Sequence, residues 1–227
     1  IIDGSPVHIV TELATTIRQR FAKQRHIHLL LENADNTSRY LREQGAQKEC
    51  VHTAQWDDDI HHALHVALTG ESDGYYSDYA ENPAWHLGRC LAEGFSFQGE
   101  PSPYHGGVLR GEPSRDLPPG CFVFFLQNHD QIGNRAFGDR ITSLASTDAV
   151  KAAMTCVLLA PSPPLLFMGE EFAASTPFLF FCDFGPDLAS AVTQGRRSEF
   201  KRFAQFNSLE AQARIPDPNS EQTFLSC

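Results

Sequence analysis

The sequence predicts an α/β fold, because short apolar segments alternate along the chain with segments of helical periodicity. Three observations carry this prediction: predominantly apolar runs at 27–31 and 121–126, helical spacing of apolar residues between them, and polar residues directly after the runs. Such runs are typical of parallel strands buried on both faces. In a (β/α)8 barrel, the polar residues after the strands form the catalytic face. A doubly wound sheet predicts a similar pattern, so both architectures stay open at this point.

Start and stop signals locate the individual elements. Ser5-Pro6 is typical of the first turn of a helix, and apolar residues at helical spacing extend it to about Arg25. Asp57 and Asp58 predict the start of a second helix, which Gly70 ends. The other predicted elements are strands at 50–56 and 164–168, a helix starting at Asn82-Pro83, a helix capped by Thr147, helices near 187–195 and 197–211, and a long active-site loop at 94–120.

The composition excludes several classes of function. The 227 residues carry a net charge of -10, and the 18 Lys and Arg residues form no long run, which argues against a nucleic-acid partner. No apolar segment approaches the roughly 20 residues that cross a bilayer, and no signal peptide is recognisable. We therefore expect no membrane partner and a cytoplasmic location. The cysteines form no C-x-x-C pair, so we expect neither a zinc site nor another cofactor.

Two acidic residues lie at strand ends, where chemistry is expected. Glu32 directly follows the run at 27–31, and a carboxyl group held against apolar walls keeps its proton to higher pH, as a general acid requires. Asp130 lies four residues after the end of the run at 121–126, and His129 directly precedes it. The ordinary alternatives are a salt bridge or helix cap for Glu32 and a turn for the second segment.

The helix predicted after Trp56 carries a cluster of polar residues. His61 and His65 are spaced i, i+4, which allows two side chains to share a metal ion, but the Glu that completes the H-E-x-x-H pattern is absent. We therefore expect no metal. Instead, we expect that His61 and Asp58 bond a polar substrate at the mouth of the site and that His65 lies on the helix surface. Aromatic residues such as Trp56 are suited either to stacking on a sugar ring or to ordinary packing.

Several segments together resemble one family. The segments are HLLLENADN (28–36), QWDDDIHHALH (55–65), QNHDQIGNRAFG (127–138) and PFLFFCDF (177–184). They are similar to the maltooligosyltrehalose trehalohydrolases, which belong to the alpha-amylase family of glycoside hydrolases, and the resemblance covers nearly the whole chain. It implies an α/β fold that is a partial (β/α)8 TIM barrel, roughly strands five to eight with their helices. We therefore expect residues 1–227 to be a fragment of a catalytic barrel domain.

The resemblance also implies roles for individual residues. Glu32 resembles the general acid/base after the fifth strand, and Asp130 resembles the carboxylate after the seventh strand that holds sugar hydroxyls. The implied substrate contacts are His129, Trp56, Asp58, His61, Gln131 and Arg135. The implied partner is maltooligosyltrehalose or a related α-glucan, from which retaining cleavage of the α-1,4 bond next to the trehalose end releases trehalose.

One departure from the family pattern is large. The family nucleophile is an Asp in a G-x-R-x-D pattern after the fourth strand, and this pattern does not occur in the chain. We therefore expect that the chain alone is inactive and lacks both the first strands and the nucleophile. Two other functions stay open: another α-glucan hydrolase or branching enzyme with the same barrel, and a non-catalytic glucan-binding protein.

Overall fold

A computed structural model of the chain describes residues 3–44, 49–50, 52–202 and 206–227. The α-helices are α1 (Ile9–Phe21), α2 (Asp58–Thr69), α3 (Pro83–Glu93), α4 (His129–Gly133), α5 (Ile141–Leu144), α6 (Thr147–Leu159), α7 (Pro186–Glu199), α8 (Leu209–Ala213) and α9 (Glu221–Leu225). The strands are β1 (Leu30–Leu31), β2 (Glu43–Gln44), β3 (Glu49–Cys50), β4 (Ala54–Trp56), β5 (Glu100–Ser102), β6 (Val108–Arg110) and β7 (Phe122–Val123). Within the described ranges, no helix is both long and apolar enough to cross a membrane.

The chain divides into two compact units. The first unit consists of Ile1–Leu126 and Ala153–Leu165, and the second consists of Gln127–Ala152 and Leu166–Cys227. All of the named strands belong to the first unit, whereas α4, α5, α7, α8 and α9 belong to the second.

The first unit contains a parallel sheet with the strand order β1-β4-β7. β4 is the central strand, and its Gln55 lies opposite Phe122 of β7. A parallel bridge from Phe124 to Pro164 reaches the segment predicted as the fourth strand. Parallel neighbours need a crossover connection, and α2 and α3 lie in the connection between β4 and β7. The predicted α/β fold with parallel strands is confirmed.

Burial of the strands differs along the sheet. Each residue from Cys121 to Leu126 is at most 6% exposed, so the prediction of a buried strand there is confirmed. The strand predicted at 27–31 is shorter and less buried, since β1 has only two residues and Leu30 is 50% exposed. Within the described residues, β1 has a strand neighbour on one side only, which leaves Leu30 open to solvent. The strand predicted at 164–168 is wrong, except that its first residue, Pro164, forms the bridge to Phe124.

Helix α1 begins later than predicted, and helix α6 has a different cap from the one predicted. α1 begins at Ile9 and not at Pro6. Its cap is His8, whose Nδ1 accepts from the Val10 N–H at 3.4 Å, and the Asp3 carboxylate accepts from the Ile9 N–H at 2.6 Å. At α6, the hydroxyl of Ser146 accepts from a backbone N–H of the first turn at 3.3 Å. Ser146, and not Thr147, is therefore the cap of α6.

Two segments contain antiparallel hairpins that the sequence does not predict. The strand predicted at 50–56 is divided, because residue 50 pairs in the hairpin β2-β3 and only β4 joins the parallel sheet; residue 51 lies outside the described residues. The loop predicted at 94–120 contains the hairpin β5-β6, and its Phe95 and Phe97 are buried. The strands of both hairpins are too short for an alternating pattern to be recognised.

In the second unit, α7 confirms the helix predicted near 187–195, but a continuous helix at 197–211 is wrong. Phe200–Arg202 forms a short 3-10 helix, α8 begins only after its cap Ser208, and residues 203–205 lie outside the described ranges. Phe200 and Phe206, which lie between α7 and α8, belong to a buried apolar cluster whose members are Ala136, Phe200, Phe206 and Ile215.

Helix α2 starts at a buried acidic residue. The Asp57 carboxylate accepts from the N–H groups of Asp59 and Ile60 at 3.1 and 3.4 Å, and Gly70 ends the helix with a φ of 73°, both as predicted. Asp57 is fully buried, and its second carboxyl oxygen has no hydrogen-bond partner among the described residues. Burial, together with the neighbouring Asp59 and Asp58, raises the pKa of Asp57 well above its usual range.

We expect the Asp57→Asn variant to be more stable than the wild type at neutral pH by at least about 1 kcal/mol. The pKa of Asp57 is higher in the folded than in the unfolded chain, so wild-type stability falls as pH rises above the unfolded value of about 4. Asn keeps the capping oxygen and has no proton to lose. Thermal unfolding followed from about pH 4 to pH 8 should therefore show an advantage of the variant that grows with pH.

The matched control is Asp73→Asn, which removes an exposed carboxylate from the same unit. Its difference from the wild type should show no comparable increase with pH. An advantage of Asp57→Asn that stays constant over the whole pH range would contradict the account of Asp57.

We expect Gly94→Ala to destabilise the first unit by about 2–4 kcal/mol, measured by chemical denaturation. Gly94 has a φ of 87°, and a Cβ atom there would lie 2.2 Å from the ring of Phe122, which is buried in β7. Gly88→Ala is the control, because Gly88 lies within α3 and a Cβ atom there meets nothing within 4 Å. This control should be neutral or stabilising by up to about 1 kcal/mol; equal effects of the two variants would refute the packing described for Gly94.

Candidate active site

Three of the predicted site residues lie at one edge of the parallel sheet. Glu32 comes directly after β1, Trp56 is the last residue of β4, and Asp58 is the first residue of α2. Because β1 and β4 are parallel neighbours, their carboxyl ends lie at the same edge. The edge thus combines a carboxyl group, a half-buried indole and a second acidic side chain.

Glu32 is exposed to solvent, which corrects the expectation of a carboxyl group held against apolar walls. The cause is the same as for Leu30: within the described residues, β1 has a strand neighbour on one side only. The argument from burial therefore does not apply to Glu32 in this chain. Its assignment rests on its position at the strand end and on the family resemblance.

A buried ion pair, which sequence reasoning missed, lies in the same unit. Arg110 of β6 contacts the Asp59 carboxylate at 2.8 Å, and Asp59 is fully buried. The Tyr79 hydroxyl donates to Asp59 at 2.5 Å and accepts from Arg110 at 2.7 Å. Burial alone lowers the pKa of Arg110, but Asp59 and Tyr79 reverse this and raise it, so the guanidinium group stays charged. Burial and Asp59 likewise raise the pKa of Tyr79 well above its usual range.

Two histidines of α2, His61 and His65, lie deeper than expected. His61 is 1% exposed, with Nδ1 2.6 Å from the Leu126 carbonyl oxygen and Nε2 3.2 Å from the Tyr76 hydroxyl. Because a carbonyl oxygen can only accept, Nδ1 donates, and with the Tyr76 hydroxyl at Nε2 protein groups bond both sides of the ring. His61 was expected at the mouth of the site. The structure instead places it beneath the surface, in contact with the protein groups named above.

His65 is also buried, and the expectation of a helix-surface residue is wrong. Its ring stacks on Tyr76 with centroids 4.3 Å apart, and its Nε2 lies 2.8 Å from the Glu71 carboxylate. The 3-10 helix Gly74–Tyr79 covers this face of α2, which the periodicity of α2 alone does not reveal. Among the described residues, no group of His, Cys, Asp and Glu side chains is arranged to hold a metal ion.

The remaining candidates lie at the start of α4, in the second unit. The chain turns into α4 directly after Asn128, and the side chain of Asn128 accepts from the Asp130 N–H at 2.8 Å. His129 Nε2 lies 3.5 Å from the Asp130 carboxylate, and the side chains of the two residues are 51% and 49% exposed. The turn thus brings both side chains together at one end of a short helix, where they are accessible to solvent.

Gln131 and Arg135 have structural contacts in the same unit. The side-chain oxygen of Gln131 accepts from the Asn128 N–H at 3.1 Å, which completes a reciprocal helix cap. Arg135 Nε donates to the Asp139 carboxylate at 3.4 Å, four residues further along the chain. These contacts hold both side chains in place. A bond from either side chain to a substrate would form in addition to these contacts.

Comparison with known proteins identifies the relatives of the chain. A scan against models of protein families finds none that matches. The malto-oligosyltrehalose trehalohydrolase of Deinococcus radiodurans is 38% identical over 226 residues and 99% of this chain. The enzymes of the same name from Arthrobacter ramosus and Saccharolobus solfataricus are 37% and 34% identical over 98% and 99% of the chain.

A solved structure gives the same picture. The crystal structure of a protein from Salmonella typhimurium, assigned as an alpha amylase, matches with a TM-score of 0.90 and 46% identity over 100% of this chain and 37% of that chain. The described α/β fold is therefore related to a TIM barrel. The chain spans 35–38% of the length of the three curated relatives named above. By its sequence, the chain belongs to the malto-oligosyltrehalose trehalohydrolase family.

Proposed function

We propose that the chain is part of a glycoside hydrolase that releases trehalose from maltooligosyltrehalose by retaining cleavage of the α-1,4 bond next to the trehalose end. One observation carries the proposal: Glu32, Trp56 and Asp58 share an edge of a parallel sheet. An acidic group and an aromatic ring at strand ends are what a barrel enzyme needs to cleave and hold a sugar. The names of the relatives select trehalose as the product.

The proposed fold is the second half of a (β/α)8 barrel, strands five to eight with their helices. β1, β4, β7 and the segment at Pro164 follow one another in chain order with parallel pairing, as consecutive barrel strands do. Residues 1–227 would accordingly belong to one catalytic domain of a longer protein.

In the proposed reaction, Glu32 protonates the glycosidic oxygen as the bond to the leaving trehalose breaks. Glu32 then removes a proton from the water that releases the remaining sugar from the enzyme. Asp130 and His129 hold hydroxyl groups of the sugar whose bond is cut, and Trp56 and Asp58 contact the substrate beside Glu32. His61 supports this region from below, while Gln131 and Arg135 extend the binding surface at α4.

The nucleophile of this reaction must come from residues outside the chain, because no G-x-R-x-D pattern occurs in it. Retention requires the acid and nucleophile carboxyl groups to lie about 5–5.5 Å apart. We therefore expect the isolated chain to be inactive, and assays should use the protein encoded by the complete reading frame.

A second candidate function is hydrolysis of ordinary α-1,4 bonds of a glucan. It is favoured by the 46% identity to a protein assigned as an alpha amylase. The products distinguish the two candidates: trehalose supports the first proposal, and glucose or maltose without trehalose supports the second.

We expect Glu32→Gln, made in the complete protein, to lower kcat/KM for trehalose release by about 10²- to 10⁴-fold, because the amide cannot donate the required proton. Trehalose and the shortened oligosaccharide would be measured by chromatography. The control is Glu81→Gln, which alters an exposed Glu of the same unit and should leave the rate unchanged. Normal activity of Glu32→Gln would refute the assignment of the acid.

A further inference from the structure

The segment that follows Glu32 is attached to residues far away in sequence. The Asn33 carbonyl accepts from Gln55 Nε2 at 2.9 Å, and the Ala34 carbonyl accepts from Arg110 Nε at 3.0 Å. The backbone next to Glu32 is thus held from β4 and from β6. Gln55 is fully buried and Arg110 is largely buried, whereas Ala34, the acceptor of the second bond, lies at the surface.

Asn36 completes the attachment and connects it to the ion pair. Its side-chain amide donates to Asp59 at 2.8 Å, and its backbone carbonyl accepts from the Glu112 N–H at 3.1 Å. Asn36 is fully buried and has a φ of 53°, a backbone conformation that Asn adopts more easily than most residues. The segment therefore ends in a fixed position on Asp59.

Asp59 accepts hydrogen bonds from separate parts of the first unit. The donors are Asn36 Nδ2, the Ser96 and Phe97 N–H groups, the Tyr79 hydroxyl and Arg110, at 2.5–2.8 Å. Moving any one of these segments would leave part of a buried carboxylate without its bonds, which is costly. Asp59 thus makes the position of the segment after Glu32 depend on α2 and on the hairpin β5-β6.

Arg110 is the residue that reaches both the segment and the carboxylate. Its guanidinium group bonds the Ala34 carbonyl, the Tyr79 hydroxyl and Asp59 at the same time, and it lies over the Phe97 ring at 5.0 Å. The planar group offers donors in fixed directions, whereas a Lys ammonium is a compact charge that cannot span the same three acceptors.

We propose that Arg110, together with Asp59, is a positioning residue that holds the acid Glu32 in the place from which it protonates the leaving sugar. The inference rests on the proposed function. A general acid acts only within hydrogen-bond reach of the oxygen it protonates, and a displacement of about 1 Å can cost about a hundredfold in rate. Neither residue contacts the substrate in this proposal.

The test compares two substrates of the complete protein that differ in their need for an acid. In maltooligosyltrehalose the departing oxygen must receive a proton, whereas in an α-maltooligosyl fluoride the C–F bond breaks and fluoride leaves as an anion. kcat/KM reports the steps up to this bond cleavage. The proteins are the wild type, Arg110→Lys, Glu32→Gln and the control Arg115→Lys, which alters a side chain that is 81% exposed.

We expect Arg110→Lys to lower kcat/KM for maltooligosyltrehalose on the order of 10- to 100-fold. We expect the loss with the fluoride to be less than about threefold, the same pattern as in Glu32→Gln, while Arg115→Lys stays at the wild-type rate. Equal losses on both substrates, or no loss, would overturn the positioning role of Arg110. If Arg110→Lys does not fold, Tyr79→Phe removes one hydroxyl of the network and should give the same pattern with a smaller amplitude.

The two levels of the proposal fail differently. If the wild type releases no trehalose, the proposed function is wrong. If it releases trehalose and Glu32→Gln spares the fluoride but Arg110→Lys and Tyr79→Phe do not, the function stands and the positioning inference is wrong. If Glu32→Gln loses activity equally on both substrates, Glu32 is not the acid, and the inference fails with that assignment.

Discussion

The first unit depends on the burial of one carboxylate, that of Asp59. A carboxylate out of water is costly unless hydrogen bonds satisfy its oxygens and an opposite charge lies nearby. Asp59 meets both conditions only when the segment after β1, the 3-10 helix before α3 and the hairpin β5-β6 are folded around α2. This requirement orders a long connection between α3 and β7 that the sequence alone presents as a loop rich in Gly and Pro.

Local patterns were sufficient where local interactions determine the structure. The start of α2 at Asp57, its end at Gly70 and the start of α3 after Asn82 follow from caps that involve neighbouring residues. The burial of 121–126 follows from its continuous apolar composition. The parallel pairing of β4 with β7 follows from the helices α2 and α3 that lie between them in the chain.

Non-local interactions explain what the sequence could not predict. Leu30 has the composition of a buried strand, but its exposure depends on which strands lie beside β1. His65 has the spacing of a surface residue, but the segment Gly74–Tyr79 covers it. Arg110 and Asp59 are 51 residues apart, and no periodicity links such positions. Glu32 was found because it follows a strand and matches a family, whereas Arg110 and Asp59, which we propose to position it, carry no such signal.

The proposed role of Glu32 as the acid would be tested by a crystal structure of the complete protein, carrying Glu32→Gln, with maltooligosyltrehalose bound. The side chain at position 32 should then lie within hydrogen-bond distance of the glycosidic oxygen next to the trehalose unit. A bound substrate whose glycosidic oxygens all lie out of reach of this side chain would refute the role proposed for Glu32.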